Sequence, residues 1–151
     1  MLRPSKKMLF AIEAVLDIAY HAGGEPVQSR EITRRQGIPR RYLEQTLQQL
    51  VRAGVLSGVR GPKGGYRLAR ERRRISIGDI VRVIQATELE AEDPEMLPGS
   101  DLGKAIIRPL WAELDAETMN RLDSISIDSL CMKAYSSGIP SETTTNLDFT
   151  I

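Results

Sequence analysis

The 151-residue sequence has a single cysteine, Cys131, and a single histidine, His21. One cysteine excludes a disulfide framework within the chain, and one histidine excludes a two-histidine metal site of the metalloprotease kind. The glycine-rich residues 61–65 lack the Lys-Ser or Lys-Thr ending of a phosphate-binding loop. These absences argue against an enzyme. They leave Cys131 as a packed structural thiol or, alternatively, as one half of an intermolecular disulfide.

Long apolar runs are also lacking. No stretch approaches the ~18 consecutive apolar residues of a membrane span, and Glu13 and Asp17 interrupt the apolar run near the start, so a signal peptide is not expected. Hydrophobic residues make up 41% and charged residues 27% of the chain, which is ordinary for a soluble globular protein. We therefore predict a cytoplasmic protein without a membrane segment.

The net charge is only +1, but its distribution along the chain is uneven. Residues 1–85 hold 17 Lys and Arg against 7 Asp and Glu, whereas residues 86–151 hold 4 against 13. A first half with a net charge of about +10 predicts contact with a polyanion, nucleic acid in the first place. The alternative is that the two halves attract each other or a partner chain.

The first half reads as three helices. Apolar residues recur at helical spacing through residues 6–22, where Gly-Gly-Glu-Pro ends the first helix. Ser29 is the predicted N-cap of a short second helix and Gly37 its predicted stop. Pro39 suits the first position of the third helix. Two short helices joined by a tight turn predict a helix-turn-helix.

A β-hairpin follows these helices. "VLSGV" and "YRLAR" are strand candidates that bracket "RGPKGG", and three helices followed by a hairpin predict a winged helix. Ser76 and Asp79 then predict the capped start of a further helix. The winged-helix domain is predicted over residues 1–85.

The second half has a different pattern. Residues 86–103 are acidic and contain prolines, which predicts a loop. Helical spacing returns over residues 104–135, as a long dimerisation helix that Pro109 begins or kinks, followed by a short helix capped by Ser126. Residues 136–151 are polar and aperiodic and are predicted to be a flexible tail. The predicted fold class is mainly α with a small β-hairpin wing.

The third helix is the predicted recognition helix, whose polar face would enter the major groove. Arginine can read guanine, glutamine adenine, and glutamate cytosine there. In the wing, glycines would let the backbone approach a phosphate strand, and cations would reach the minor groove or flanking phosphates. The predicted DNA-contacting residues are Ser29, Pro39, Arg40, Arg41, Tyr42, Glu44, Gln45, Gln48, Arg60, Gly61, Lys63, Gly64 and Tyr66. The alternative is a solvated, incidentally charged surface.

The stretch "YLEQTLQQLVRAGVLSGVRGPKGGYRLAR", followed by "ISIGDIVRVIQ", resembles the Rrf2 family of bacterial winged-helix transcriptional regulators. The resemblance covers residues 9–85 and continues more loosely through "LWAELDAETMNRLDSISIDSLC". It implies that Glu44 and Gln45 read the major groove and that Arg60 reaches the minor groove. Lys63 departs from the family, whose members often carry glycine there, and is expected to add a phosphate contact.

A larger departure concerns the cofactor. Iron–sulfur members of the family place three cysteines in the loop before the dimerisation helix, whereas residues 86–103 contain no Cys and no His. Since thiolate clusters need several cysteines, the cofactor does not carry over and none is predicted. A hard cation bound by loop carboxylates is a minor alternative. The loop carboxylates are Glu88, Glu90, Glu92, Asp93 and Glu95.

Together these features predict a sequence-specific transcription regulator, a repressor that binds double-stranded DNA as a homodimer. Its predicted dimerisation residues are Ile107, Leu110, Trp111, Leu114 and Leu122. The expected input is a small-molecule effector bound near the loop and the Trp111 helix, a partner protein, or oxidation of Cys131. The competing class is a winged-helix protein-interaction module without specific DNA binding, which would not need so basic a first half.

Overall fold

A computed structural model describes residues 3–89 and 99–142. The described elements, in chain order, are α1 (Lys6–His21), α2 (Ser29–Gln36), α3 (Arg40–Arg52), β1 (Leu56–Val59), β2 (Gly65–Leu68), a 3-10 turn (Arg72–Arg74), α4 (Ile77–Leu89), a π-helical turn (Gly103–Ile107), α5 (Arg108–Asp123) and α6 (Ile127–Ser136). The two strands form one antiparallel hairpin. This confirms the predicted class, mainly α with a β-hairpin wing.

α1 is the centre of the fold. It contacts α2, α3, α4, α6 and β2, and Val15 and Ile18 on it are fully buried. Leu43, Leu47 and Leu50 of α3 pack into the same core, as their spacing predicts. The helix-turn-helix therefore rests on a close-packed platform, which fixes where its outer face points.

Two helix starts lie one residue away from their predicted positions. α2 begins at Ser29 itself, and its N-cap is Gln28. The Gln28 backbone N–H donates to Glu31 Oε2 at 2.9 Å, so the glutamate of this capping box sets the boundary one residue earlier. Pro39 is the N-cap of α3 rather than its first helical residue. Gly37 ends α2 in the left-handed conformation, φ +67°, as predicted.

α4 starts as predicted and runs further than predicted. The Asp79 N–H donates to Ser76 Oγ at 3.1 Å, and the Ser76 N–H donates to Asp79 Oδ2 at 3.0 Å. The helix continues to Leu89, so the first residues of the predicted 86–103 loop are helical. Glu88 belongs to this helix and accepts a hydrogen bond from the Ser5 hydroxyl. The other predicted loop carboxylates lie outside the described residues: Glu90, Glu92, Asp93 and Glu95.

The end of α5 is docked on α4. Arg82 donates to both oxygens of Asp123, at 2.7 and 2.5 Å, and this hydrogen bonding lowers the pKa of Asp123. A Cβ at Gly78 would lie 1.9 Å from Asp123 Oδ1, so glycine allows this approach. At its other end, α5 has Pro109 in its first turn, directly after the π-helical turn. The proline thus lies at the beginning of the regular α-helix, which is one of the two alternatives predicted for it.

Most of α5 stands away from the body of the chain, and none of its residues is buried. Four of the predicted dimerisation residues are exposed in the single chain: Ile107 by 53%, Leu110 and Trp111 by 45%, and Leu114 by 43%. Leu122 differs from them, because it is half-buried against the core of its own chain. Within the part of the chain that the structure describes, no helix is long and apolar enough to cross a membrane.

Within the tail predicted over 136–151, Ser136 still belongs to α6, residues 137–140 are exposed, and Ser141 and Glu142 dock on the helices. Ser141 is only 8% exposed, and its hydroxyl donates to the Tyr20 carbonyl at 2.8 Å. The reason is a set of polar contacts to α1 and α2 that has no apolar periodicity and therefore leaves no signal in the sequence pattern. Residues 143–151 lie outside the described residues.

Candidate nucleic-acid interface

α3 has one buried and one exposed face. The residues within α3 that were predicted from the sequence all lie on the exposed face: Arg40, Arg41, Tyr42, Glu44, Gln45 and Gln48. Arg52, near the end of the helix, is exposed as well. Within the described residues, no hydrogen bond or ion pair engages the side chains of Arg41, Gln45 and Gln48. An exposed row of unengaged donors and acceptors on a helix can read base edges without first breaking contacts of its own.

Glu44 is presented together with Arg40. Arg40 Nε donates to Glu44 Oε1 at 3.0 Å, and the two side chains are 75% and 48% exposed. An exposed pair at i,i+4 on a helix contributes only about 0.3–0.5 kcal/mol, so either partner can turn to a ligand at small cost. Sequence reasoning found both residues but not their pairing. The i,i+4 spacing itself was the available signal.

The hairpin forms the wing. Its turn is closed by the Gly64 N–H, which donates to the Gly61 carbonyl at 2.9 Å, and Gly61 has φ +112°. A Cβ at Gly64 would lie 2.2 Å from the Val59 carbonyl oxygen. The turn's own geometry thus requires both glycines, whether or not a phosphate approaches them. Arg60 and Lys63 are exposed at the tip.

The wing is fastened to the segment that leads into α2. The Tyr66 N–H donates to the Val27 carbonyl at 2.8 Å, and the Val27 N–H donates back at 2.9 Å. Gln28 Nε2 donates to the Pro62 carbonyl at 3.3 Å. Tyr66 is half-buried against the core, so in the structure this predicted DNA contact is first of all an anchor of the wing.

An open groove of about 540 Å³ lies between the starts of α2 and α3 and the wing. Ser29, Arg30, Arg40 and Arg60 line it, and none of the described residues that line it is acidic. Arg30 was missed by sequence reasoning, although a cation in the first turn of the helix-turn-helix was visible there. Three guanidinium groups around one groove make a surface suited to phosphate.

Cys131 and His21 lie in different elements, in α6 and at the end of α1. Cys131 is 2% exposed in α6, and desolvation by burial raises the pKa of its thiol, partly opposed by Arg72. Arg72 Nε in turn lies 2.7 Å from Asp128 Oδ1. A buried thiol with a raised pKa is poorly nucleophilic. Among the described residues, no group of three or more His, Cys, Asp and Glu could hold a metal ion.

A helix-turn-helix on an α1 platform, with an exposed polar α3 face beside a basic wing, defines a winged-helix DNA-binding protein. The chain matches the Rrf2 family, described as iron-dependent transcriptional regulators, over residues 4–133. It belongs to that family, which confirms the resemblance, and it is a DNA-binding transcription regulator. The family and its relatives are regulators, not enzymes.

Individual relatives agree with this assignment. The HTH-type transcriptional regulator IscR of Xenorhabdus nematophila is 34% identical over 131 residues, which cover 85% of this chain and 79% of IscR. The structure of T. potens IscR matches with a TM-score of 0.72 and 32% identity, covering 92% of this chain and 93% of that chain. CymR, the global cysteine regulator of B. subtilis, matches with a TM-score of 0.68 and 30% identity, covering 88% and 98%.

The family description names iron dependence. The residues of this chain do not fit an iron–sulfur cluster held by thiolates. Such a cluster is held by several cysteine thiolates, and the sequence has one. That one, Cys131, is buried in α6. The only histidine, His21, lies at the end of α1, where its Nδ1 accepts the Glu142 backbone N–H at 3.1 Å.

Proposed function

We propose that this chain is a repressor that binds a near-palindromic DNA site as a homodimer. The observation that carries the proposal is the pairing of two uncovered faces in one chain. One is the polar face of α3 beside the basic wing, and the other is the apolar stripe of the π-helical turn and α5. Twofold proteins present two recognition helices to half-sites about one helical turn, or a multiple, apart.

In this proposal α3 enters the major groove. Glu44 and Gln45 read base edges there, and Arg40, Arg41 and Gln48 contribute base or phosphate contacts. Arg60 enters the minor groove or holds a flanking phosphate, and Lys63 adds a phosphate contact. Support comes from their exposure on one side of the molecule's helix-turn-helix and wing and from the shared groove that Arg40 and Arg60 line.

The proposed dimer interface is the stripe formed by Ile107, Leu110, Trp111 and Leu114. These positions follow helical spacing, and each side chain is at least 43% exposed in the single chain. A contiguous apolar surface of this kind marks a protein interface. Leu122 is placed at the margin of this interface, because part of its surface already contacts its own core.

The proposed regulator works in the cytoplasm without an iron–sulfur cluster. Its input is then a small molecule, a partner protein or, last, oxidation of Cys131, whose burial argues against ready oxidation. Anaerobic purification followed by iron and sulfide analysis tests this directly. Stoichiometric iron with sulfide, and a visible cluster spectrum, would overturn it.

The central test is selection of bound sequences from a random DNA pool, followed by sedimentation of the protein with the selected site. We expect a near-palindromic motif and two chains for each DNA. The logarithm of the binding constant should fall linearly with the logarithm of the salt concentration, with a slope of about 0.9 for each neutralised phosphate. The competing protein-interaction module predicts no enriched motif. A monomer at micromolar concentration, both free and on DNA, would contradict the dimer.

A further inference from the structure

α2, the first helix of the helix-turn-helix, has little apolar anchoring. It spans eight residues, Ser29–Gln36, and Ile32 is its one buried residue. A helix this short is not stable in water by itself, so its position depends on what it is fastened to. Besides Ile32, polar contacts fasten α2 to the rest of the chain.

The last turn of α2 is held on α1 by a buried carboxylate. The Asp17 side chain has no exposed surface. Its oxygens accept hydrogen bonds from Arg35 Nε at 2.9 Å, from Arg35 Nη2 at 2.8 Å and from Gln36 Nε2 at 2.7 Å. A buried charge is tolerated when it is paired and hydrogen-bonded in this way.

The segment after α6 completes the network from outside. Glu142 accepts from Arg34 Nη2 at 2.7 Å and from Arg35 Nη1 at 2.6 Å, and its backbone N–H donates to His21 Nδ1. Just before it, the Ser141 hydroxyl donates to the Tyr20 carbonyl. One carboxylate thus joins two arginines of α2, and the backbone that carries it is itself tied to the end of α1.

The Tyr20 hydroxyl also donates to the Ile139 carbonyl. We propose that residues 139–142 are a clamp in which Glu142 is a positioning residue that holds α2 in the place DNA binding requires. The proposal rests on the DNA-binding role proposed above. Because the clamp follows α6 directly, it connects the C-terminal helices to the helix-turn-helix within one chain.

The clamp is relevant to DNA because the other end of α2 borders the cationic groove. Ser29 and Arg30 line that groove, and Gln28 reaches the wing. If the last turn of α2 is released, the helix samples more positions, and binding must select the competent one from a smaller population. Loss of the clamp should therefore weaken DNA binding although no clamp residue needs to touch DNA.

The loss of the Glu142 charge, taken alone, predicts stronger DNA binding. The experiment can therefore distinguish a clamp from a purely electrostatic effect. Glu142 neutralises arginines beside the DNA-binding surface, so removing its charge would by itself strengthen attraction to phosphate. Glu142→Gln removes the charge and the ion pairs to Arg34 and Arg35 together. It leaves the contacts of the other clamp residues with Tyr20 in place. Glu25→Gln is the matched control, because it removes one exposed negative charge near the wing without touching α2.

The test is hydrogen exchange of backbone amides on the full chain, with DNA affinity measured in parallel. For Glu142→Gln we expect at least tenfold faster exchange in the last turn of α2, unchanged exchange in the buried part of α3, and about fivefold weaker DNA binding. Glu142→Asp should recover part of both, because the acid is retained. Glu25→Gln should leave α2 exchange unchanged and leave affinity equal or slightly higher.

Two results would overturn the clamp: α2 exchange in Glu142→Gln equal to that of the unaltered chain, or DNA affinity that rises as in Glu25→Gln. A chain ending at Gly138 provides a second variant that removes the whole segment, and it should exceed Glu142→Gln in both effects. If the unaltered chain binds no DNA, the DNA-binding role fails, whereas the exchange data still decide whether residues 139–142 hold α2.

Discussion

α3 and α5 each leave one face uncovered in the single chain, but the two faces are of opposite kinds. α3 buries Leu43, Leu47 and Leu50 and turns charged and amide groups outward. α5 buries no residue and leaves Leu110 and Trp111 45% exposed. Water solvates the first face well and the second poorly. We therefore expect the α3 face to stay exposed to water until DNA binds, and the apolar stripe of α5 to be covered by the proposed partner chain.

The two halves also differ in charge. Some cations of the basic half form ion pairs within the chain, and others remain exposed on its surface. Arg34, Arg35, Arg72 and Arg82 of the basic half all form ion pairs with carboxylates of the acidic half. Both expectations from the charge distribution thus apply, since the halves do attract each other. Among the described residues, the exposed cations of the α3 face and the wing tip form no ion pair with the acidic half, and neither does Arg30, which lines the groove beside them.

The largest effect of a single substitution is expected at α5. Trp111→Ala should weaken self-association by about 2–4 kcal/mol, as truncation of a central aromatic in an interface does, and should reduce binding to a two-half-site DNA in parallel. Sedimentation of the free protein measures the first and titration of DNA the second. The control is Glu113→Ala, on the same exposed helix but outside the apolar stripe. Equal behaviour of the two variants would remove α5 from the interface.

The next largest effect is expected in the wing. Gly64→Ala places a Cβ 2.2 Å from the Val59 carbonyl oxygen, so the turn must open, at about 2–3 kcal/mol. Gly58→Ala is the matched control, since a Cβ there meets nothing within 4 Å. Chemical denaturation should detect the difference in stability, and DNA titration should show the same order. Equal stability of the two variants would mean that Gly64 does not lie against the Val59 carbonyl oxygen in the folded chain.

Local rules predicted much of the first half. The core face of α3, the Ser76–Asp79 box and the left-handed stop at Gly37 each follow from a few neighbouring residues. The one-residue offset at the start of α2 has the same origin, because Gln28 is a less common cap than Ser29 and was overlooked.

Contacts between residues far apart in the sequence could not be predicted from neighbouring residues. Asp17, Arg35 and Glu142 are joined across 18 and 107 positions in the sequence, and nothing in their local pattern indicates a partner. The same holds for Tyr66, whose type suggested DNA contact but whose backbone pairs with Val27. At the interface, exposure and identity of α3 side chains were predictable, whereas the groove shared with α2 and the wing required the tertiary structure.

A smaller and more selective effect is expected inside the α3 face. Glu44→Ala should relax discrimination at one base position by about 1–3 kcal/mol, whereas Arg60→Ala should weaken binding on most sequences and flatten the salt dependence. Because Arg40 pairs with Glu44 in the free chain, Glu44→Ala also releases that arginine, and overall affinity can change little. Affinity for a set of single-base variants of the selected site is the measurement. An unaltered sequence preference in Glu44→Ala would refute the recognition-helix assignment.

The smallest effect concerns pH. It is expected at the end of α1, where the C-terminal segment contacts Tyr20 and His21. Burial lowers the pKa of His21 from its ordinary value of 6.5, and the charge of Arg35 adds to this. Asp17 and Glu142 oppose the shift, and Arg34 reinforces it. The ring also meets Tyr20 edge-on, with centroids 5.3 Å apart.

Because the folded chain holds His21 neutral, the unfolded chain binds the proton more readily. The contribution to stability is therefore complete above about pH 6.5 and declines as the pH falls from there towards the lowered folded pKa. The pKa of Glu142 is also lowered, since Arg34 and Arg35 outweigh the desolvation that would raise it. The stability that Glu142 contributes declines only as the pH falls through its ordinary value of 4.5 and below, outside a measurement range of pH 8 to 5.5. Thermal unfolding between pH 8 and 5.5 should show a falling midpoint that is shallower in His21→Gln, where an amide oxygen can still accept the Glu142 N–H but cannot titrate. A midpoint that rises on acidification, or the same slope in both proteins, would show that the His21 imidazole does not couple pH to the junction of α1, α2 and the C-terminal segment.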